Sequence, residues 1–184
     1  MNNLFNIFNR FYSLLVSILG ISGGILALLQ WNNSIKIKRA EYLSTLYNQL
    51  NNNKTIKSIM YMFDYNEKKW YNKKFHNGGQ LENDVDETLN FFSFICYLYD
   101  CKLILKKEFN FFKYRIDRSL NSPQVEEYLY NVYHHCTLNK TALFFNYLFY
   151  YIKKNKIYND DFFKNTNNKK YHIYLDWGKS NKST

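Results

Sequence analysis

The segment from Phe11 to Ile35 carries no charge and is bounded by Arg10 and Lys36. Its centre, LLVSILGISGGILALL at 14–29, together with Phe11, Tyr12 and Trp31, reaches the roughly 20 residues that a helix needs to cross a bilayer core. Tyr12 and Trp31 fall where amphipathic rings prefer the headgroup level. A cleaved signal peptide fits less well, because Arg10 is the only charge ahead of the run and the small residues lie inside it, with no clear cleavage site beyond. A core helix of a soluble domain fits less well still, since the polar residues of the 14–29 centre are only Ser and Gly. The expectation is one N-terminal transmembrane helix over residues 11–33, after a short segment at 1–10.

Orientation follows from the charges beside the span. Lys36, Lys38 and Arg39 follow it closely, while Arg10 alone precedes it, so the C-terminal body is expected on the cytoplasmic side of the membrane. The same three basic residues are the expected contacts to anionic lipid or nucleic acid. Within the span, Ser13, Ser17, Gly20, Gly24 and Ala27 recur at spacings of four and three, which places them on one side of the helix. Such a stripe lets helices approach closely in lipid, and it predicts self-association.

Past the span, a chain of 184 residues has room for one domain of ordinary size. Its 6 glycines and 1 proline are too few for the turns of a sandwich or the phosphate loops of a nucleotide fold, which favours an all-α chain. The expected architecture is a transmembrane helix continuing into a cytoplasmic helical bundle over 34–155, followed by a basic aromatic tail over 156–184. No breaker interrupts the chain between Gln30 and Asn51–Asn53, so the span should run on through Ala40, Leu43, Leu46, Tyr47 and Leu50. A second helix is read from Thr55 to about Tyr71, with Ile56, Ile59, Met60 and Phe63 inward. HNGGQ at 76–80 is a loop, and His76 in it reads as a surface histidine.

A third helix, from about Leu81 to Cys101, opens with acidic residues that suit a helix N-terminus. It then carries Val85, Leu89, Phe92, Cys96 and Tyr99, its apolar face widened by Phe91, Phe94, Ile95 and Leu98. Phe109, Phe112, Ile116 and Leu120 predict a fourth helix over Lys106–Leu120. Ser122 followed by Pro123 marks the cap and first residue of a fifth, which carries Val125, Leu129, Val132 and Cys136. TALFFNYLFYYI at 141–152 is too short and too aromatic for a second crossing and reads as a buried bundle helix or a protomer contact.

Chemistry is thinly signalled. Cys96, Cys101 and Cys136 are an odd number without close pairing, and with the four histidines they lack the short spacings of a zinc site; neither metal nor cofactor is expected. No small-molecule substrate is indicated. Charge is regional: residues 34–80 hold nine cations against three anions, whereas 81–101 hold five anions and no cation. Lys106, Lys107, Lys113, Arg115 and Arg118 cluster in sequence, which makes RNA or DNA a candidate partner. His134 and His135, with Asn131 one turn earlier and Arg115 and Arg118 on the preceding helix, form the candidate catalytic set for RNA cleavage. Against this, adjacent histidines point about 100° apart on a helix, so one enters a given cleft at most.

The layout of one span, a basic exit in KRAEYLSTLYNQL at 38–50 and ETLNFFSFICYLYDCKLILKKEF at 87–109 resembles a poorly characterised group of small bacterial membrane-anchored helical proteins. It is similar to the membrane accessory protein of type VI-B CRISPR systems over roughly residues 10–150. That resemblance implies a nuclease-type helical bundle grafted to a span, assembly into a ring-shaped membrane pore, and work in antiviral defence beside an RNA-guided effector. It also implies a nuclease motif of arginine, four to six residues and then histidine. Here Tyr130 stands in the arginine place before Asn131, His134 and His135, and no arginine in the chain has a histidine at the required distance. The departure favours a non-catalytic, homo-oligomeric accessory or effector over a membrane-tethered ribonuclease, with a simple membrane adaptor as the plainer alternative.

Overall fold

The computed structural model describes residues 2–65 and 69–179, with side chains from Phe11 to Trp177. Every regular element among the described residues is helical. The chain divides after Leu46 into two compact units, residues 1–46 and 47–184.

The first unit is most of α1 (Asn2–Asn52). Its hydroxyls turn back on their own helix: Ser17 Oγ donates to the Ser13 carbonyl at 2.9 Å and Ser22 Oγ to the Leu19 carbonyl at 3.0 Å. Each hydroxyl thus finds its acceptor within the helix itself. The large apolar side chains from Phe11 to Trp31 are 43–69% exposed.

The second unit begins with the last turns of α1. That helix continues to Asn52, and the expected break is the single residue Asn53, whose Oδ1 accepts the N–H groups of Thr55 and Ile56 at 2.8 and 3.2 Å and so starts α2 (Lys54–Tyr65). Ile56, Ile59, Met60 and Phe63 are buried as their spacing predicts. The second helix is shorter than its sequence suggests. Trp70 and Tyr71 lie outside it, because the Tyr71 N–H is claimed by Gln124 Oε1 at 3.0 Å and the two rings pack with Phe63, Phe75 and Tyr128.

The next three helices lie close to their expected limits: α3 is Gln80–Asp100, α4 Lys106–Leu120 and α5 Pro123–Leu138. The central helix is α3, which packs against α2, α4 and α6 (Asn146–Lys154). Val85, Leu89, Phe92, Ile95 and Cys96 face inward, but Phe94 is 43% exposed and stacks on Tyr97. At the start of α4, Glu108 accepts the Leu105 N–H at 2.6 Å and supplies the missing cap partner. Ser122 and Pro123 take the cap and first-turn positions of α5 as expected, yet the Ser122 hydroxyl is buried and bonds to nothing. The 141–152 stretch is not one helix. Phe145 adopts a left-handed backbone at φ 55° immediately before α6, which buries Phe145 and leaves Phe144 exposed.

The aromatic tail packs onto α5. Asn159 Oδ1 caps α7 (Asp160–Lys164) through the Phe162 N–H at 3.0 Å. Phe162, Tyr171 and Trp177 are buried around Tyr130 and His134, with a short 3₁₀ turn at Asp176–Lys179. Burying such rings contributes about 1.5–3 kcal/mol each by removing apolar area from water, and edge-to-face pairing adds roughly 0.5–1.5 kcal/mol. Residues 180–184, the end of the chain's basic aromatic tail, lie outside the described residues.

Candidate functional site

The most conspicuous unassigned surface is on α1. Phe11–Asn52 contains a stretch long and apolar enough to cross a membrane, none of it buried. Ser13, Ser17, Gly20, Gly24 and Ala27 are all exposed there. A Cβ built at Gly20, Gly23 or Gly24 meets nothing within 4 Å, so these glycines are not required by packing inside the chain. Just beyond this stretch, Lys36 and Lys38 are exposed and Arg39 is half-buried.

The five candidate catalytic residues are each engaged in structural contacts or separated by facing. Asn131 is fully buried: its Nδ2 donates to the carbonyls of Glu127 and His172 at 2.9 and 2.8 Å, and its Oδ1 accepts the Tyr174 N–H at 2.8 Å. His134 is buried with Nε2 2.8 Å from the Phe162 carbonyl, against the rings of Tyr130, Tyr133 and Trp177. Burial holds its pKa below the ordinary histidine value, and the Phe162 contact opposes the shift. His135 is half-buried beside Asn139. On α4, Arg118 donates to Asp64 Oδ1 at 2.6 Å and to the Tyr114 hydroxyl at 3.3 Å, tying α4 to α2. Arg115 lines a separate recess with Leu50 and Lys57. The bonding partners of Asn131 and His134 thus come from α5 and the tail, and those of Arg118 from α2 and α4.

The face of α5 toward the tail is a fastening. Tyr130 Oη donates to the Asn165 carbonyl at 2.5 Å and accepts the Asn168 N–H at 3.1 Å. Glu126 accepts from Lys170 Nζ and Tyr171 Oη at 2.6 and 2.5 Å, and Glu127 accepts from the His172 N–H at 2.6 Å. Asn131 and His134 complete this series of α5 side chains bonded to the tail.

A polar cluster that sequence reading assigned to the surface lies between the 70–79 loop, α3 and α5. His76 is only 16% exposed in its side chain. Its Nδ1 lies 3.3 Å from Glu82 Oε1 and its Nε2 3.2 Å from Tyr71 Oη; the neutral Nδ1–H tautomer satisfies both contacts. The other Glu82 oxygen accepts the Gly78 N–H at 2.8 Å, at a left-handed backbone of φ 72° that suits glycine. Beside it the Tyr128 hydroxyl donates to Asp86 Oδ1. Burial keeps His76 below its usual pKa, pushes Asp86 up against the Tyr128 hydrogen bond, and raises Tyr71 and Tyr128. Tyr71 is fully buried, and the Glu–His–Tyr series ties the loop to α3. The sequence signal for it was weak: an acid six residues after the histidine.

Among the described residues, no three His, Cys, Asp or Glu side chains converge as metal ligands. No protein-family profile, curated protein or solved structure matches the chain.

Proposed function

We propose that this chain is a single-pass membrane protein whose helical body works on the cytoplasmic face as a non-catalytic accessory or effector, assembled with copies of itself through the span. The observation that carries the reading is the exposure of every large apolar side chain between Phe11 and Trp31. Thirteen such side chains in water would be an association hazard, whereas lipid tails or neighbouring spans cover them without cost. The basic group at Lys36, Lys38 and Arg39 supports the orientation, since basic residues are retained on the cytoplasmic side. The engagement of Asn131 and His134 in holding the tail supports a body without catalysis built on them.

Self-association has its support in the glycines. The span leaves open space where Cβ atoms would sit at Gly20 and Gly24, so a neighbouring helix is the element that would sense their absence. The test is native mass measurement of the full-length protein in a mild detergent, beside Gly20→Leu and Gly24→Leu. A discrete oligomer that falls in mass in these variants is the expected result. A parent that is monomeric, or an oligomer indifferent to both substitutions, contradicts assembly through the span.

A further inference from the structure

We propose that a recess between the end of α1, α2 and α4 binds a phosphate ester. The recess encloses about 250 Å³ and is lined by Leu50, Asn51, Lys57, Met60, Tyr61 and Arg115. No carboxylate is among those residues, yet two of them are cations.

Elsewhere in this unit the basic side chains that reach a partner reach carboxylates. Arg118 pairs with Asp64, Lys113 with Asp117, Lys154 with Asp100, Lys164 with Asp160 and Lys170 with Glu126. Lys57 and Arg115 instead line one concavity together, with no acid among the described residues of its lining. A guanidinium and an ammonium together suit a phosphate: the planar fork bonds two oxygens, and the ammonium supplies a mobile point charge. Leu50 and Met60 are buried apolar floor, and Tyr61 offers a half-exposed ring to the organic part of an ester. Pockets for drug-sized ligands measure roughly 300–1,000 Å³, so this smaller recess fits a phosphate with a short organic group, either a soluble ester or a phospholipid headgroup. The inference does not depend on the span or on oligomerisation.

The experiment uses the full-length protein in an uncharged maltoside detergent. Acylation of Lys57 by an amine-reactive ester is followed by mass spectrometry, with exposed Lys153 as internal reference, while inorganic phosphate, glycerol 3-phosphate, AMP or short-chain phosphatidic acid is titrated in. The expected result is several-fold slower acylation of Lys57 at saturation with Lys153 unchanged. Arg115→Gln should raise the midpoint of protection about tenfold, the usual loss of one charge-assisted hydrogen bond, with an unchanged melting temperature showing that the fold is intact. Protection by the soluble esters assigns the site to a free phosphate ester, and protection by phosphatidic acid alone assigns it to a headgroup; either sustains the proposal. Equal protection of both lysines, protection by none of the four, or an Arg115→Gln midpoint equal to that of the parent overturns it.

Discussion

Replacing Asn131 by Ala separates a tail-fastening role from a catalytic one. The side chain is fully buried and makes three hydrogen bonds, two of them to backbone groups of the tail at His172 and Tyr174. Alanine leaves the Tyr174 N–H and the His172 carbonyl without these partners. A buried polar group left unsatisfied costs about 1–3 kcal/mol, so the two together cost roughly 3–4 kcal/mol if some water reaches them. For a unit of this size that lowers the melting temperature by roughly 10 °C. The assay is thermal unfolding in detergent together with limited trypsin digestion, which reads tail release through cleavage at the exposed Lys169 and Lys170. His135→Ala, at a half-buried position whose ring lies beside Asn139 Nδ2, should cost less than about 1 kcal/mol. An Asn131→Ala protein that melts within a degree or two of the parent, with its tail equally resistant to trypsin, would refute the fastening role.

Further outcomes follow from the same contacts. Burial lowers the pKa of both His76 and His134, so the unfolded chain binds more protons than the native one just below the ordinary histidine value of 6.5; stability should therefore fall as pH drops through that region. His134→Gln, which keeps a donor for the Phe162 carbonyl, should flatten the fall, and melting curves from pH 7.5 to 5 check it. Asp86 acts in the opposite sense: its carboxyl is raised above 3.8 by burial, so its contribution is present at low pH and lost as pH rises through the native value. Asp86→Asn should remove that component from a titration of stability. In the proposed span, Ile21→Lys replaces an exposed apolar residue near its middle and should raise the insertion free energy by roughly 3–4 kcal/mol, seen as loss of the protein from alkaline-washed membranes. Gly23→Leu, off the small-residue stripe, should leave the oligomer mass unchanged where Gly24→Leu reduces it.

What was legible in the sequence was what local chemistry decides. The uncharged run at 11–35, the Asn51–Asn53 break, the four-residue spacing of Phe112, Ile116 and Leu120, and the Ser122–Pro123 boundary are all short-range signals, and the helices follow them. The end of α2 was not legible, because Tyr71 is drawn out of the helix by Gln124, 53 residues away in sequence. The same holds for the tail: Tyr130, Asn131 and His134 acquire partners 28–43 residues further on, and nothing at the level of spacing shows that a segment rich in Lys and Asn folds back on them. Phe94 and Phe144 belong to apolar runs and so read as core, yet which member of such a run faces outward is set by the neighbouring helix. His76 was misplaced for a related reason, since its partner Tyr71 lies on the part of the chain whose helix had been read too long.

In the proposed topology α1 crosses a membrane and leaves the body on the cytoplasmic side, and the chain carries its own reporter for it. Cys101 is exposed in the body, whereas Cys96 and Cys136 are buried. The measurement is labelling with a membrane-impermeant maleimide in intact and in lysed spheroplasts of an expressing bacterial host, after confirming that the protein stays with alkaline-washed membranes. The account predicts that Cys101 is labelled only after lysis, and that an added Asn3→Cys is labelled before it. Release of the protein by the alkaline wash, or labelling of Cys101 in intact spheroplasts, would contradict it.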